Sequence, residues 1–196
     1  RAESDVYAVG ASGRVLRRSD GSWSVYDTTG PTGGQKTLYG ADVTDGGRLL
    51  WVAGSSGSVG AYDLANGSVT SYKPPNVSPT FTDIAVAGFS GAETVYLTKS
   101  SGDVYVGTRA DTKEGGMTWT ARDTGGSYTI QAIDFHTPER GRVVSTNSSV
   151  YKTTDAGSTW TQVGIADSAA STYDIVSGAS CQHRFTALSA QYRRID

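Results

Sequence analysis

Four stretches of this 196-residue chain follow one pattern: VYAVGASGRV at 6–15, LWVAGSSGSV at 50–59, VYLTKSSGDV at 95–104 and GRVVSTNSSV at 141–150. Their turn positions, Gly13, Gly57, Gly102 and Ser148, lie 44, 45 and 46 residues apart. Each stretch is a β-rich run, a small polar turn, and a second run opening on Val15, Val59, Val104 or Val150. That is a hairpin signature. Its recurrence at a fixed period makes each repeat one structural unit, too small to bury its apolar surface except against a neighbour.

The repeat extends on both sides of the hairpin. Ahead of the second, third and fourth copies stand LYGADV (38–43), FTDIAV (81–86) and IQAIDF (130–135), which read as short buried strands. Behind the hairpins come SWSVYD (22–27), SVTSYK (68–73), TWTARD (118–123) and TWTQVG (159–164). These alternate, with Trp23, Val69, Trp119 and Trp160 as inward candidates. Each unit therefore has four antiparallel strands, A to D, and helical periodicity is missing throughout. Four-stranded units at this period imply an all-β chain of β-propeller blades. The reading is one domain over 1–196, with repeats at about 5–30, 36–74, 80–125 and 128–164 and a partial fifth at 171–196. The first repeat enters at strand B. TYDIVS (172–177) reads as a further strand A, and RFTALSAQYRRID resembles VYAVGASGRVLRRSD. Two alternatives stay open: the late strands complete the ring with the first ones, or the chain is part of a larger propeller.

Composition excludes several functions. Net charge is -2, so the footprint expected of a nucleic-acid binder is missing. No apolar run approaches the roughly 20 residues of a membrane-spanning helix. A single cysteine, Cys181, rules out an internal disulfide framework. His136 and His183 are the only histidines, too few and wrongly spaced for a metal centre. Neither a metal nor a cofactor is expected. Glu is scarce (Glu3, Glu93, Glu114, Glu139), and N-x-Ser sequons at Asn66, Asn76 and Asn147 are candidate glycosylation sites. These features give an extracellular or cell- or virion-surface setting as the expectation.

One motif is specific. Thr153-Thr154-Asp155-Ala156-Gly157-Ser158-Thr159-Trp160 matches S/T-x-D-x-G-x-T-W, with degenerate copies at Ser19-Asp20-Gly21-Ser22-Trp23 and at Glu114 to Trp119, which includes Gly116. In register with the period, these residues make the chain resemble the Asp-box, or bacterial-neuraminidase-repeat, propellers, and within them the photosystem II assembly-factor-like group. The residue types suit a tight turn between strands C and D. Gly accepts a positive φ at little cost, Asp accepts backbone N–H groups of its own turn, and Trp adds a large apolar ring. The resemblance implies a structural turn remote from the binding face.

Sialidases share this architecture, and they pair a Tyr nucleophile with an acidic partner. The resemblance would also require an arginine triad and an early R-I-P, whereas Arg194-Ile195-Asp196 departs at its third position. The B–C turns GASG, GSSG, KSSG and TNSS hold no carboxylate, and no helix follows them to make a phosphate site. Catalytic residues are therefore not assigned. Expected instead is a non-enzymatic module for protein–protein interaction, assembly or structure, with a carbohydrate- or receptor-binding module as the alternative and a sialidase-like fragment as a third reading. Candidate binding loops are 30–36 with Lys36, 73–79 with Lys73, Pro74 and Pro75, the turn at Lys99, and the C–D insertion carrying Lys113. A protein partner is expected and a glycan or receptor is the alternative; neither nucleic acid nor membrane insertion is.

Overall fold

A computed structural model describes residues 5–74, 78–109, 116–125, 128–147 and 149–165. Short runs of β-branched and aromatic residues, punctuated by Gly and Ser turns, form four meandering antiparallel sheets, as such runs favour. The first has three strands, β1 (Val6–Val9), β2 (Val15–Ser19) and β3 (Ser22–Asp27). The second has β4 (Leu38–Val43), β5 (Leu49–Gly54), β6 (Val59–Asp63) and β7 (Val69–Ser71). The third has β8 (Phe81–Ala87), β9 (Thr94–Lys99), β10 (Val104–Arg109) and β11 (Met117–Arg122). The fourth has β12 (Ile130–Thr137), β13 (Arg140–Ser145), β14 (Ser149–Thr153) and β15 (Thr161–Ile165). Strand order in every sheet follows the chain, so each sheet is a propeller blade.

Successive side chains on a strand point to opposite faces, so each blade offers one face to the blade before it and the other to the blade after. Between the first and second blades lie Val15, Leu38, Leu50, Val52 and Tyr62, with Tyr7, Val9 and Tyr26 against them. Trp51, Ala53, Val59 and Ala61 meet Phe81, Ile84, Val95 and Leu97 between the second and third. Tyr96, Val104 and Val106 meet Ile133, Phe135 and Val143 between the third and fourth. The inner strands β4, β8 and β12 pack side by side. Each of them carries a bulge near its start, after Leu38, Phe81 and Ile130.

Two of the four inward candidates on strand D are overturned. Trp23 is 52% exposed and Val69 46%. Trp23 shares a face with Val6 and Arg18, and Val25 with Leu16, all turned away from the second blade, which is met by Tyr7, Val9 and Val15. The alternation was legible; which face finds a neighbour was not. Val69 sits on a three-residue outer strand, shorter than the 68–73 expected. Trp119 and Trp160 do pack against the inter-blade clusters, although Trp160 precedes its strand, which starts at Thr161.

The turn at 19–22 is also not a degenerate copy of the 153–160 turn. Ser19 and Ser22 pair directly across Asp20 and Gly21, whose φ values of 51° and 80° are those of a primed two-residue hairpin turn. Gly116 lacks the positive φ of a turn glycine.

Candidate functional site

Antiparallel order sends the B–C turns and the D–A connections out of one end of the sheets, and the A–B and C–D turns out of the other. At the first end, Ala11–Gly13 and Ser55–Gly57 each form one tight turn, with Ser12 and Ser56 held in the left-handed region at φ 58° and 55°. Each D–A connection is then stitched to a B–C turn. Leu38 N–H donates to Gly10 O, Ser55 N–H to Thr37 O, Gly57 N–H to Pro79 O, Ser100 N–H to Thr80 O and Thr146 N–H to Thr129 O. The loops of this face are thereby pinned, and hydroxyls add to the pinning, with Ser55 donating to Thr37 O and Thr129 to Ser100 O.

The 28–37 connection has two further anchors. Tyr62 Oη–H donates to Asp27 Oδ2 at 2.5 Å, and the same carboxylate accepts from the N–H groups of Thr28, Thr29 and Gly30. Burial pushes the Asp27 carboxyl up, but these hydrogen bonds, led by that of Tyr62, outweigh it and hold it below its ordinary value. Pro31 lies on Gly60 of β6, where an added Cβ would come within 2.3 Å of the proline ring. Gly60 is thus a close-approach glycine: any side chain there would displace the connection.

The inner strands are tied by carboxylates. Asp42 on β4 accepts from Val86 N–H on β8 at 2.7 Å, and Asp83 on β8 accepts from Ile133 N–H on β12 at 3.0 Å. Asp42 also accepts from its neighbour Val43 N–H. Burial raises the Asp42 carboxyl to about 6 despite those two bonds, with Asp134 and Asp45 adding like charge. A folded-state value above the unfolded one means the fold binds this proton more tightly. The stabilisation is complete below about pH 4 and is lost as pH rises through about 6. Denaturation at pH 5 and pH 7 should therefore show the chain less stable at pH 7, with about 2–3 kcal/mol at stake in this one group across the whole window. Asp42→Asn should flatten that slope; an unchanged slope in the variant would assign it elsewhere.

The opposite end holds a cleft of about 260 Å³ between the second and third blades. Arg48, Asp63, Tyr72 and Arg109 line it, with Ser68, Thr70, Ser90 and Gly91. Arg48 pairs with Asp63 at 2.9 Å. Arg109 pairs with the fully buried Glu93, donates to Tyr72 Oη and lies 5.4 Å over the Tyr72 ring, which itself packs on Trp51. Both cations are thus engaged by carboxylates of the same wall. At this end also lies the turn at 153–160. Thr153 Oγ1 donates to Asp155 and accepts from Asp155 and Gly157 N–H, while Asp155 accepts from both Thr159 N–H and Thr159 Oγ1. Hydrogen bonds from Thr159, then Thr153, bring the Asp155 carboxyl down to about 2. Trp160 covers Gly157 and meets Phe135 edge-on.

The candidate binding residues separate accordingly. Lys36 and Lys73 are exposed at the stitched end, with Lys73 donating to Ser78. Lys99, in the third B–C turn, is at the same end but half-buried and paired with Asp103 at 3.0 Å. Pro74 is buried, which makes it an anchor and not a contact. Pro75, Asn76 and Lys113 lie outside the described residues. Asn66 and Asn147 occupy exposed turns. The sequence reading missed Asp42, the buried state of Glu93 and its pairing with Arg109, which was read only as the first residue of the C–D insertion 109–116. An alternating strand with Asp at an inner position was a usable signal for Asp42; nothing local marked the partner of Arg109.

Among the described residues, no group of three His, Cys, Asp or Glu could hold a metal ion. Nor is any helix among them long and apolar enough to cross a membrane. No family model and no curated protein matches the sequence. Solved structures do. The chain superimposes on YCF48 from Cyanidioschyzon merolae with a TM-score of 0.65 at 16% identity, over 86% of this chain and 59% of that one. It superimposes on U3-55K with a TM-score of 0.63 at 12% identity, over 82% and 48%. A structure of YCF48 bound to D1 peptide gives 0.56 at 11% identity, over 81% and 49%. The chain spans between about half and three-fifths of these structures' length, and at such identities what it shares with them is the propeller fold.

Proposed function

We propose that the chain is a non-enzymatic propeller segment that binds a protein partner through its B–C turns and D–A connections, in an extracytoplasmic setting. The observation that carries this reading is the stitched end itself: hydroxyl-rich loops pinned by hydrogen bonds, with Lys36 and Lys73 exposed on them. Loops ordered before contact lose little entropy on docking. Support of a weaker kind comes from a propeller of the same fold, YCF48, whose structure holds a D1 peptide. The exposed asparagines Asn66 and Asn147 of two sequons support the setting. The Thr153 and Asp155 hydrogen bonds support reading 153–160 as an Asp-box turn with a structural role.

Lysine cross-linking in an extract of the native source, read by mass spectrometry, tests the proposal. The expected result is one dominant protein joined through Lys36 or Lys73. Cross-links confined to Lys152, on the side of the fourth blade, would overturn the assignment of the face. A glycan reading has one observation in its favour, Tyr39, an aromatic ring 53% exposed beside the same loops. Recovery of glycans with no protein would replace the first reading by this one.

A further inference from the structure

The cleft between the second and third blades, at the end remote from the stitched loops, has walls set by strand pairing. Leu49 is opposite Asp63, Trp51 opposite Ala61, and Ala61 opposite Thr70. Residues opposite one another share a face, and Trp51 and Ala61 place this one against the third blade. Ser90 and Gly91, in the turn between β8 and β9, and Arg109, at the end of β10, make the second wall. Every residue lining this space of about 260 Å³ is among the described ones. Leu49 and Ala61 give it an apolar floor, and the rest of the lining is polar but for Gly91 and the Tyr72 ring.

The carboxylates here are already spent. Asp63 accepts from Arg48 and Asn66 Nδ2 through Oδ2, and from Ala65 N–H through Oδ1. The buried Glu93 accepts from Arg109 and from Gly91 N–H. The donors are not spent. Arg48 commits one nitrogen to Asp63 and keeps its side chain 60% exposed. Tyr72 Oη accepts from Arg109, and among the described residues nothing accepts the proton of its own O–H. The hydroxyls of Ser68, Thr70 and Ser90, each a donor and an acceptor, have no hydrogen bond among the described residues either. Charge then selects the ligand. Arg48 and Arg109 are balanced by Asp63 and Glu93, so the four ions of the cleft sum to zero. An anion would compete with Glu93 for Arg109, and unpairing a fully buried carboxylate is strongly unfavourable. An uncharged ligand bearing several oxygens uses the unspent groups and leaves both pairs intact.

We propose that this cleft binds one uncharged pyranose ring through Arg48, Thr70, Tyr72 and Ser90. A pyranose carries hydroxyl and ring oxygens around a C–H body, which matches polar groups set around the Leu49 and Ala61 floor. The volume lies just under the usual range for drug-sized ligands, so it suits one ring and not a chain of them. The ring is a free monosaccharide or the last residue of a glycan. The site stands apart from the loop face and does not depend on the protein partner proposed there.

The test follows the backbone amide signals of the whole chain by NMR. The probes are glucose, galactose, mannose and N-acetylglucosamine, each as the free sugar and as its methyl glycoside. The expected result is that at least one sugar shifts Ser68, Thr70, Ser90 and Gly91 in a saturable way at millimolar concentration. Thr70→Val keeps the side chain's shape without its hydroxyl and should weaken that binding about three- to tenfold. Arg48→Met should weaken it at least as much. Both residues are exposed, so neither change disturbs the core, and binding to the unaltered chain decides should a variant misfold. Added salt should leave the affinity within about twofold, because the ligand is uncharged. Binding of the methyl glycoside as well as the free sugar supports the site with a glycan end as its source, and binding of the free sugar alone supports it with a monosaccharide. No saturable shift of these amides by any probe overturns the proposal. Shifts confined to the surroundings of Tyr39 overturn it equally, because they place the sugar at the loop end. Tighter binding of acetate or inorganic phosphate at the same amides overturns it by making the ligand an anion. Cross-linking reads the loop face and these amides read the cleft, so the two proposals can fail separately.

Discussion

Arg109→Met should be the most damaging single substitution outside the apolar core, costing about 3–5 kcal/mol. The Glu93 carboxylate has no solvent exposure and Arg109 is the cation paired with it. Removing the guanidinium leaves a buried negative charge supported by Gly91 N–H and little else. It also removes the cation from the face of Tyr72 and the hydrogen bond to its hydroxyl. Urea denaturation of the single variant and of Arg109→Met with Glu93→Gln checks the cause. Once the buried charge is gone, most of the loss should be recovered, because the penalty belongs to the unpaired ion more than to the pair. A double variant as unstable as the single one would place the damage in lost packing of the arginine stem.

Trp51→Ala should cost about 3–5 kcal/mol, while Trp23→Ala should cost less than about 1 kcal/mol. Trp51 has no exposed surface and fills the space between the second and third blades, its ring 4.8 Å from that of Tyr72. Deleting it opens a cavity that rigid sheets on both sides cannot collapse. Trp23 has half its surface in water, so its removal exposes little that was covered. Thermal melts of the two variants make the comparison, and equal losses would mean that Trp23 is covered in solution.

Much of this fold was readable because a repeat multiplies weak signals. The strands LYGADV and SWSVYD coincide with β4 and β3 to the residue, and the inner strands after Phe81 and Ile130 run one or two residues longer than expected. Alternation places a side chain on a face but does not say whether a neighbour lies beyond it. Trp51, never singled out, is buried, and Trp23, which was, is not. Motif matching failed for a related reason at Asp20-Gly21, where a two-residue primed turn uses the same residue types for backbone φ alone. The candidate site was less legible still. Lys36 and Lys73 could be placed in connections from turn chemistry, but the Lys99–Asp103 pair and the burial of Pro74 depend on how the connection meets the next blade. Glu93 and Arg109 are 16 residues apart in the sequence, and only the pairing of β9 with β10 brings them together.

The apolar interior is divided into separate slabs, one between each pair of blades, and this sets how the chain comes apart. Every slab is shared by two adjacent sheets, so losing one sheet strips one face from its neighbour and leaves the remoter slabs intact. Energy stored this way is nearest-neighbour in form, as in a row of coupled spins, and not that of a single cooperative droplet. Among the described residues the first sheet has three strands and packs only against the second, while Trp23 and Val25 on its other face are exposed. Opening that starts there should travel one slab at a time, so that protease nicks appear first near Asp20 and last around Val143, between the third and fourth sheets.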